Sequence, residues 1–344
     1  MVHGRRSVEV AWPERDGGAE HGWSLRRDRL DDHLRSRAAD LGATVLMGHE
    51  AVAPIVERGF VRGATFSIDS ETPSSANPEV RARFVVVADG ANSTFGRALG
   101  TTRQRDWPSG IATRTYFESP RAGEHWIESV LAPPDVNGNP LAGFGWVIPV
   151  GDGTVNVGIA ALSTYRDVRG INALKLLDAF ARSSAERWGH DPDERLKAPT
   201  RFRIPLGGSV GPKMGPTFLV AGDAAGAANP FNGDGVEAAL MTGRVAAEVL
   251  HEALTTGNST TLQRYPTALA DEVGAYHKVG RLTARFLGRP SILRPTLAIG
   301  LASKRTMGGV LRIATNERRD GDDRGGAERA YALADTVARF APSW

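Results

Sequence analysis

The sequence predicts an α/β fold in which a parallel-sheet domain is interrupted by an antiparallel sheet and followed by helices. Three observations carry this. Arg83-Phe84-Val85-Val86-Val87-Ala88 and Thr217-Phe218-Leu219-Val220-Ala221 are apolar runs of strand length, the kind buried on both faces of a parallel sheet. The first ends in Asp89-Gly90 and the second in Gly222-Asp223, which points to a ligand lying across the carboxyl ends of that sheet. Between them, from about Ile111 to Ala161, alternating segments such as Phe144-Gly145-Trp146-Val147-Ile148-Pro149 have the period of an antiparallel sheet, and past Leu250 the pattern is helical to the end.

Taken in order, Arg27 to Leu41 reads as a helix with Leu30, Leu34 and Ala38 on one face and Gly42 as its stop. Thr44-Val45-Leu46-Met47, Val52–Val56 and Gly63–Ile68 read as strands, and the polar segment from Asp69 to Pro78 as a surface loop. Asp152-Gly153 reads as a hairpin turn. Ile171, Leu174, Leu177 and Ala181 mark an amphipathic helix, and Arg203-Ile204-Pro205-Leu206 leads back to the second apolar run. The parallel-sheet domain is therefore expected to be discontinuous.

Composition narrows the function. With 344 residues and 41% hydrophobic content the chain can build a sizeable core. No cysteine is present, so disulfides, thiolate nucleophiles and zinc-thiolate or iron–sulfur sites are excluded, and no metal-ligand cluster stands out. The formal charge of +3 is spread among many arginines without an aromatic-interleaved stripe, which argues against nucleic acid as a partner. The basic start lacks an apolar core, and no run approaches the ~18 apolar residues of a membrane span. The expected location is the cytoplasm. Arg281 to Ile313 mixes apolar clusters with Arg285, Arg289, Arg294, Lys304 and Arg305; it reads as a packed helical cap or as a basic amphipathic surface that touches the inner face of a membrane, with Pro290 and Pro295 expected to break the helix the second needs.

The strongest local signal is Val220-Ala221-Gly222-Asp223-Ala224-Ala225-Gly226-Ala227-Ala228-Asn229-Pro230-Phe231-Asn232-Gly233-Asp234-Gly235-Val236-Glu237-Ala238-Ala239. A strand delivers an aspartate, small residues clear space, and a loop shaped by proline and glycine opens a helix. Small residues serve where backbone approaches a flat ring or a pyrophosphate, and Gly233 and Gly235 are expected to offer unobstructed N–H donors. The positive end of the helix starting near Gly235 is suited to negative charge on a bound group. Ala239, Gly243 and Ala247, four apart, are expected to let that helix lie close to the sheet. A glycine-rich turn before a packed helix explains the small residues but not Asp223 at the strand tip.

This stretch resembles the second flavin-binding motif of the FAD-dependent hydroxylase and geranylgeranyl reductase superfamily. The resemblance implies an FAD-binding Rossmann-like domain in which Asp223, beside Gly222, holds a ribitol or ribose hydroxyl of FAD and the loop Pro230, Gly233, Asp234, Gly235 packs on the flavin. Asp89-Gly90-Ala91-Asn92-Ser93 with Arg97, alone no more than a turn, is similar to the middle motif of that superfamily, which positions the pyrophosphate and a nicotinamide cofactor. Arg27 resembles the arginine that opens a helix beside the cofactor. Phe144, Trp146 and Ile148 resemble the segment that floors the lipid pocket of geranylgeranyl reductases, and alternation puts the three on one face.

The resemblance divides the chain into 1–102, the remaining N-terminal part of the FAD-binding domain; 103–203, the substrate-binding sheet and helix; 204–252, the returning FAD-binding segment; and 253–344, the helical region. It also implies a first βαβ unit with a Gly-x-Gly-x-x-Gly turn. Gly17-Gly18 follow no apolar strand, so that unit is expected to be missing, by a start lying upstream or by truncation, and the isolated chain to be poorly soluble. The activity implied is reduction of carbon–carbon double bonds in an isoprenoid chain, a geranylgeranyl group or a menaquinone side chain, with a prenyl lipid as substrate and NADPH or another donor supplying electrons. An FAD-dependent aromatic hydroxylase and a non-catalytic remnant are the alternatives. No side chain declares itself as the proton donor.

Overall fold

The computed structural model describes residues 1–4, 6–12, 22–68, 78–135, 137–165, 168–317 and 326–340; the expected loop at 69–77 and Gly17-Gly18 lie outside them. The elements begin with β1 (Val2–His3), β2 (Arg6–Ser7), α1 (Arg27–Asp40), β3 (His49–Glu57), β4 (Phe60–Ile68), β5 (Glu79–Arg81) and β6 (Val85–Val87). They continue with α2 (Thr94–Ala98), β7 (Thr102–Arg103), β8 (Ser109–Glu118), β9 (Glu128–Leu131), β10 (Gly143–Pro149), β11 (Thr154–Leu162) and α3 (Ala173–Trp188). After β12 (Thr200–Pro205), β13 (Val210–Gly211), β14 (Met214–Gly215) and β15 (Phe218–Val220) come α4 (Val236–Thr256), α5 (Arg264–Leu287), α6 (Pro290–Gly300), α7 (Lys304–Ala314) and α8 (Gly326–Phe340). Two compact units result: one of residues 1–30, 108–203 and 278–343, the other of 31–107 and 204–277.

The first unit is built on a seven-stranded sheet in the order β12-β8-β11-β10-β9-β1-β2. β8, β11 and β10 pair antiparallel, with Asp152-Gly153 in the turn between β10 and β11 as expected. Because strand side chains alternate, Val147, Val157 and Ile159 point to one face and Phe144, Trp146 and Ile148 to the other. The former face is sealed by α3: Val147, Val155, Val157 and Leu177 are fully buried in one cluster with Phe180 and Trp188. The helical stripe is Leu176, Leu177, Phe180, Ala181, Ser184 and Trp188. Ile171, expected inside the helix, precedes its cap Asn172, and Leu174 is exposed, because the Asn172 side chain accepts from Leu174 and Lys175 N–H and so sets the start two residues beyond the apolar Ile171.

The second unit holds the parallel pair. β15 runs parallel to β6 in the register Phe218↔Val85, Leu219↔Val86 and Val220↔Val87, with β14 antiparallel on the other edge of β15. β15 is buried on both faces: Phe218 and Val220 pack with Val61, Val87 and Phe95, while Leu219 packs with Val245, Val249 and Tyr265. In β6, by contrast, Val86 is 42% exposed, so the expectation of two buried faces holds for β15 and not for β6. β3, β4 and β5 form an antiparallel meander.

Other expectations are corrected. Thr44–Met47 is not a strand; its backbone joins no sheet and Val45, Leu46 and Met47 are exposed, since a strand exists only where a partner supplies its ladder. Helix α1 and its left-handed stop Gly42 (φ 97°) form as expected, but α1 has no buried residue. On α4 the packed stripe is Thr242, Val245, Ala246, Val249 and Ala253, whereas Ala239, Gly243 and Ala247 are exposed; a different face of the helix makes the contact to Leu219 and Tyr265. Pro290 opens α6 at a position that needs no N–H, and Pro295 lies within α6 without ending it.

His190 is buried in the first unit, stacked on Phe117 at 4.8 Å with Nε2 3.0 Å from the Ala181 carbonyl oxygen. Burial pushes its pKa down. The native state therefore holds a neutral ring, and the unfolded state takes up a proton once pH falls below its ordinary value of about 6.5. The stability is complete above that value and lost as pH falls through it. Thermal unfolding of His190→Gln should show a shallower fall in Tm between about pH 7 and pH 5.5 than the parent; equal slopes would mean that the ring is protonated in the folded protein.

Candidate functional site

Residues 221 to 236 make a site at the tip of β15. Gly222 adopts φ 58° and Gly226 φ 67°, left-handed values that turn the chain sharply on both sides of Asp223. The Gly222 N–H donates to Thr242 Oγ1 at 2.9 Å, whose hydroxyl donates to the Ala238 carbonyl at 2.8 Å, tying the turn to α4. A Cβ on Gly226 would lie 2.8 Å from Ser209 Oγ and 2.9 Å from the Ser209 and Val210 nitrogens, so no other residue fits. Gly208 N–H donates to Gly226 O at 2.7 Å on the same side.

The loop Pro230–Gly235 is held by its own side chains. Asn229 Oδ1 accepts from Phe231 N–H at 2.9 Å, Asn232 Oδ1 from Asp234 N–H at 2.8 Å and Asp234 Oδ1 from Val236 N–H at 2.9 Å. Tyr276 donates to Asn229 Oδ1 at 3.2 Å and lies 5.0 Å from the Phe231 ring. Gly233 (φ 76°) donates its N–H to Asn229 O at 2.9 Å, which corrects the expectation that it is an open donor: a tight loop closes on its own amides. Gly235 has a negative φ (−108°) that any residue can adopt. Its role is space, since a Cβ there would stand 3.2 Å from Asp223 Oδ1. Gly235, which has no side chain to cap it, thus leaves the start of α4 next to the Asp223 carboxylate.

Asp89 and Gly90 follow β6 in the same unit. Gly90 is left-handed (φ 83°), and Asp89 Oδ2 accepts from Phe95 N–H at 3.2 Å while Ser93 Oγ accepts from Gly96 N–H at 2.9 Å. Both side chains therefore cap α2. Arg97 donates to Asn92 O at 2.8 Å.

Lys213 escaped the sequence reading. Its ammonium donates to the carbonyls of Gly208 (2.8 Å), Val210 and Ala225, which joins the strand before β14 to the turn after Asp223. Nothing but its place ahead of a short hairpin could have signalled this.

In the first unit, Phe144, Trp146 and Ile148 share the sheet face opposite α3, all half-buried, with Phe144 and Trp146 rings 5.6 Å apart. Trp146 Nε1 donates to Asn156 Oδ1 at 2.7 Å. Gly158, paired with Trp146, carries no side chain because the indole occupies that place: a Cβ would lie 2.1 Å from it. On the α3 face, Gly145 does the same for Phe180, at 2.3 Å. Arg27, also in this unit, is exposed at the first turn of α1, while its neighbour Arg26 bonds Asp28 (2.7 Å) and Asp152 (3.3 Å) and lies 5.6 Å from the Tyr116 ring. The Arg26 and Thr154 hydrogen bonds outweigh the effect of burial and hold Asp152 below the usual carboxylate range.

Replacing Lys213 by Met removes three charge-assisted bonds around the Asp223 turn. It should cost about 2–4 kcal/mol, read as a lower Tm in thermal unfolding; an unchanged Tm would mean that the three carbonyls find other donors.

Known proteins supply an independent comparison. The FAD binding domain family matches residues 14–273. Menaquinone reductase of Mycolicibacterium smegmatis is 35% identical over 317 residues, 92% of this chain and 74% of the relative. Digeranylgeranylglycerophospholipid reductase of Thermoplasma acidophilum is 30% identical over 272 residues, 76% of this chain and 63% of the relative. Among solved structures, a geranylgeranyl bacteriochlorophyll reductase-like protein of Thermoplasma acidophilum has a TM-score of 0.70 at 22% identity, covering 90% of this chain and 75% of that one. The flavin-dependent brominase Bmp2 has a TM-score of 0.65 at 16% identity, covering 93% and 77%. At those identities the structures share the fold alone. With the family match spanning most of the chain and a 35% identical reductase aligned over nearly all of it, this protein belongs to the FAD binding domain family, within its geranylgeranyl and menaquinone reductase branch.

Proposed function

We propose that the protein is an FAD-dependent reductase that saturates carbon–carbon double bonds in an isoprenoid chain, of a geranylgeranyl group or a menaquinone side chain. The observation that carries this reading is the half-buried face of Phe144, Trp146 and Ile148, opposite the α3-packed core and smoothed by Gly158. Such a wall offers apolar area and one satisfied polar atom, which suits an extended hydrocarbon. The reductases among its relatives are named for menaquinone and for a digeranylgeranyl lipid.

The second unit fits FAD. Gly222, Asp223, Pro230, Gly233, Asp234 and Gly235, with Asp89 and Gly90, are the residues that would hold it, and the space cleared by Gly235 beside Asp223 is the room a hydroxyl of the cofactor needs. When bound and reduced by NADPH or another donor, FAD would supply the hydride. The Asp223 carboxylate would accept from a ribityl or ribose hydroxyl. The start of α4 presents the positive end of its dipole to negative charge. An isolated alkene has no carbonyl to take up charge, so the main task of the aromatic wall is to hold the chain in one register and exclude water.

The same reading includes peripheral contact with a prenyl-lipid membrane at its cytoplasmic face. No helix among the described residues is long and apolar enough to cross a membrane. Phe286, Ile299 and Val310 are exposed, and they alternate along the chain with Arg285, Arg289, Arg294, Lys304 and Arg305.

Two measurements test this. Purified protein supplied with FAD should show a bound-flavin spectrum, and Asp223→Ala should weaken FAD binding roughly tenfold or more; equal affinity would remove Asp223 from the site. Flavin-loaded protein given a reductant and menaquinone without oxygen should yield a product heavier by two hydrogens per bond reduced. Trp146→Ala, and Gly158→Val through displacement of the indole, should lower kcat/KM about tenfold. Oxygen-dependent hydroxylation of an aromatic compound in place of chain reduction would favour the hydroxylase reading instead.

A further inference from the structure

We propose that a cavity formed by β1, β2 and α6 binds the phosphate of an anionic phospholipid headgroup. The inference rests on the peripheral-membrane reading above and gives that contact a defined site.

The cavity, of about 290 Å³, is lined by His3, Arg6, Arg294, Leu297, Ala298 and Leu301. Its two walls follow from local structure. His3 and Arg6 are directly paired across β1 and β2, so their side chains leave the sheet on the same face. Arg294, Leu297, Ala298 and Leu301 are spaced i, i+3, i+4 and i+7, one face of α6 and its cap. A polar sheet edge is thus set against a helix face that is basic at one end and apolar along the rest. His3 Nδ1 lies 2.8 Å from the Leu131 carbonyl oxygen, which fixes the ring and assigns the proton to Nδ1.

Arg26, Arg81, Arg182, Arg187 and Arg244 each pair with a carboxylate. Arg6 and Arg294 make no ion pair among the described residues. Two guanidiniums converging on one space repel each other until an anion lies between them, and their planar forks match tetrahedral phosphate oxygens. Leu297 and Leu301 line the same space, which favours a phosphate that carries hydrocarbon over a free ion. The surroundings agree: from Lys278 to Asn316 the chain has eight Lys or Arg and no Asp or Glu. Ile299, one residue from the lining Ala298, is 67% exposed, and Phe286 is 53% exposed, as apolar anchors for a bilayer.

The test is sedimentation of the full chain, supplied with FAD, with three vesicle types: phosphatidylcholine alone, with phosphatidylglycerol, and with oleate at matched negative charge. Strong saturable binding is expected only with phosphatidylglycerol. The double variant Arg6→Gln/Arg294→Gln should raise the Kd for those vesicles roughly 30-fold and abolish the preference over oleate. Arg289→Gln/Lys304→Gln, an equal loss of charge outside the cavity, should weaken both anionic surfaces alike and keep the preference. If neither anionic vesicle binds the parent protein, the membrane reading itself falls. Should both double variants behave identically, the contact is diffuse charge and the cavity assignment is overturned while membrane binding stands. Phosphorus NMR supplies the remaining arm: inorganic phosphate that binds saturably, and is lost in Arg6→Gln/Arg294→Gln, without vesicle binding would overturn the lipid source in favour of a free phosphate.

Discussion

The parallel pairing of β6 with β15 is the constraint from which the cofactor unit follows. Val220 opposite Val87 sets both strand ends at the same edge, so Asp89-Gly90 and Gly222-Asp223 emerge side by side although more than a hundred residues separate them in the chain. A slip of one residue would turn Leu219 out of its cluster with Val245 and Tyr265 and bring Phe218 and Val220 into it, which the unequal volumes on the two sides forbid. Packing on β15 thereby fixes the position of Asp223, the residue proposed to hold the cofactor.

Much of this was legible in the sequence because it depends on local periodicity. The two apolar runs, the alternation through Phe144–Pro149, the hairpin at Asp152-Gly153 and the helix opening after Gly235 all formed where the residues placed them. What could not be read depends on partners distant in the chain. Thr44–Met47 has the composition of a strand and lacks a neighbour to pair with; Ala239, Gly243 and Ala247 have the spacing of a close-packing stripe, but the contact is made by residues of another face, Val245, Ala246 and Val249 among them.

The candidate site divides along the same line. Asp223 and the glycines were visible as an unusual concentration of small residues at a strand end. The supports beneath them were not. Lys213 is a lysine among many until three carbonyls turn towards its ammonium, and Tyr276 joins Asn229 across 47 residues. Gly233 was read correctly as necessary and incorrectly as a donor: its left-handed backbone is what the loop needs, while its amide is already used.

The pair Gly145 and Gly158 has a consequence for how this protein can change. Each glycine makes room for an aromatic ring on its own side of β10 and β11, so the sheet works as a partition between a buried compartment and a half-buried one. Substitutions that reshape the Phe144–Trp146–Ile148 side leave the Phe180 side untouched. Descendants of this chain are therefore free to drift towards longer, shorter or more polar substrates without first endangering their own folding, and selection for a new substrate and selection for stability act on separate sets of codons.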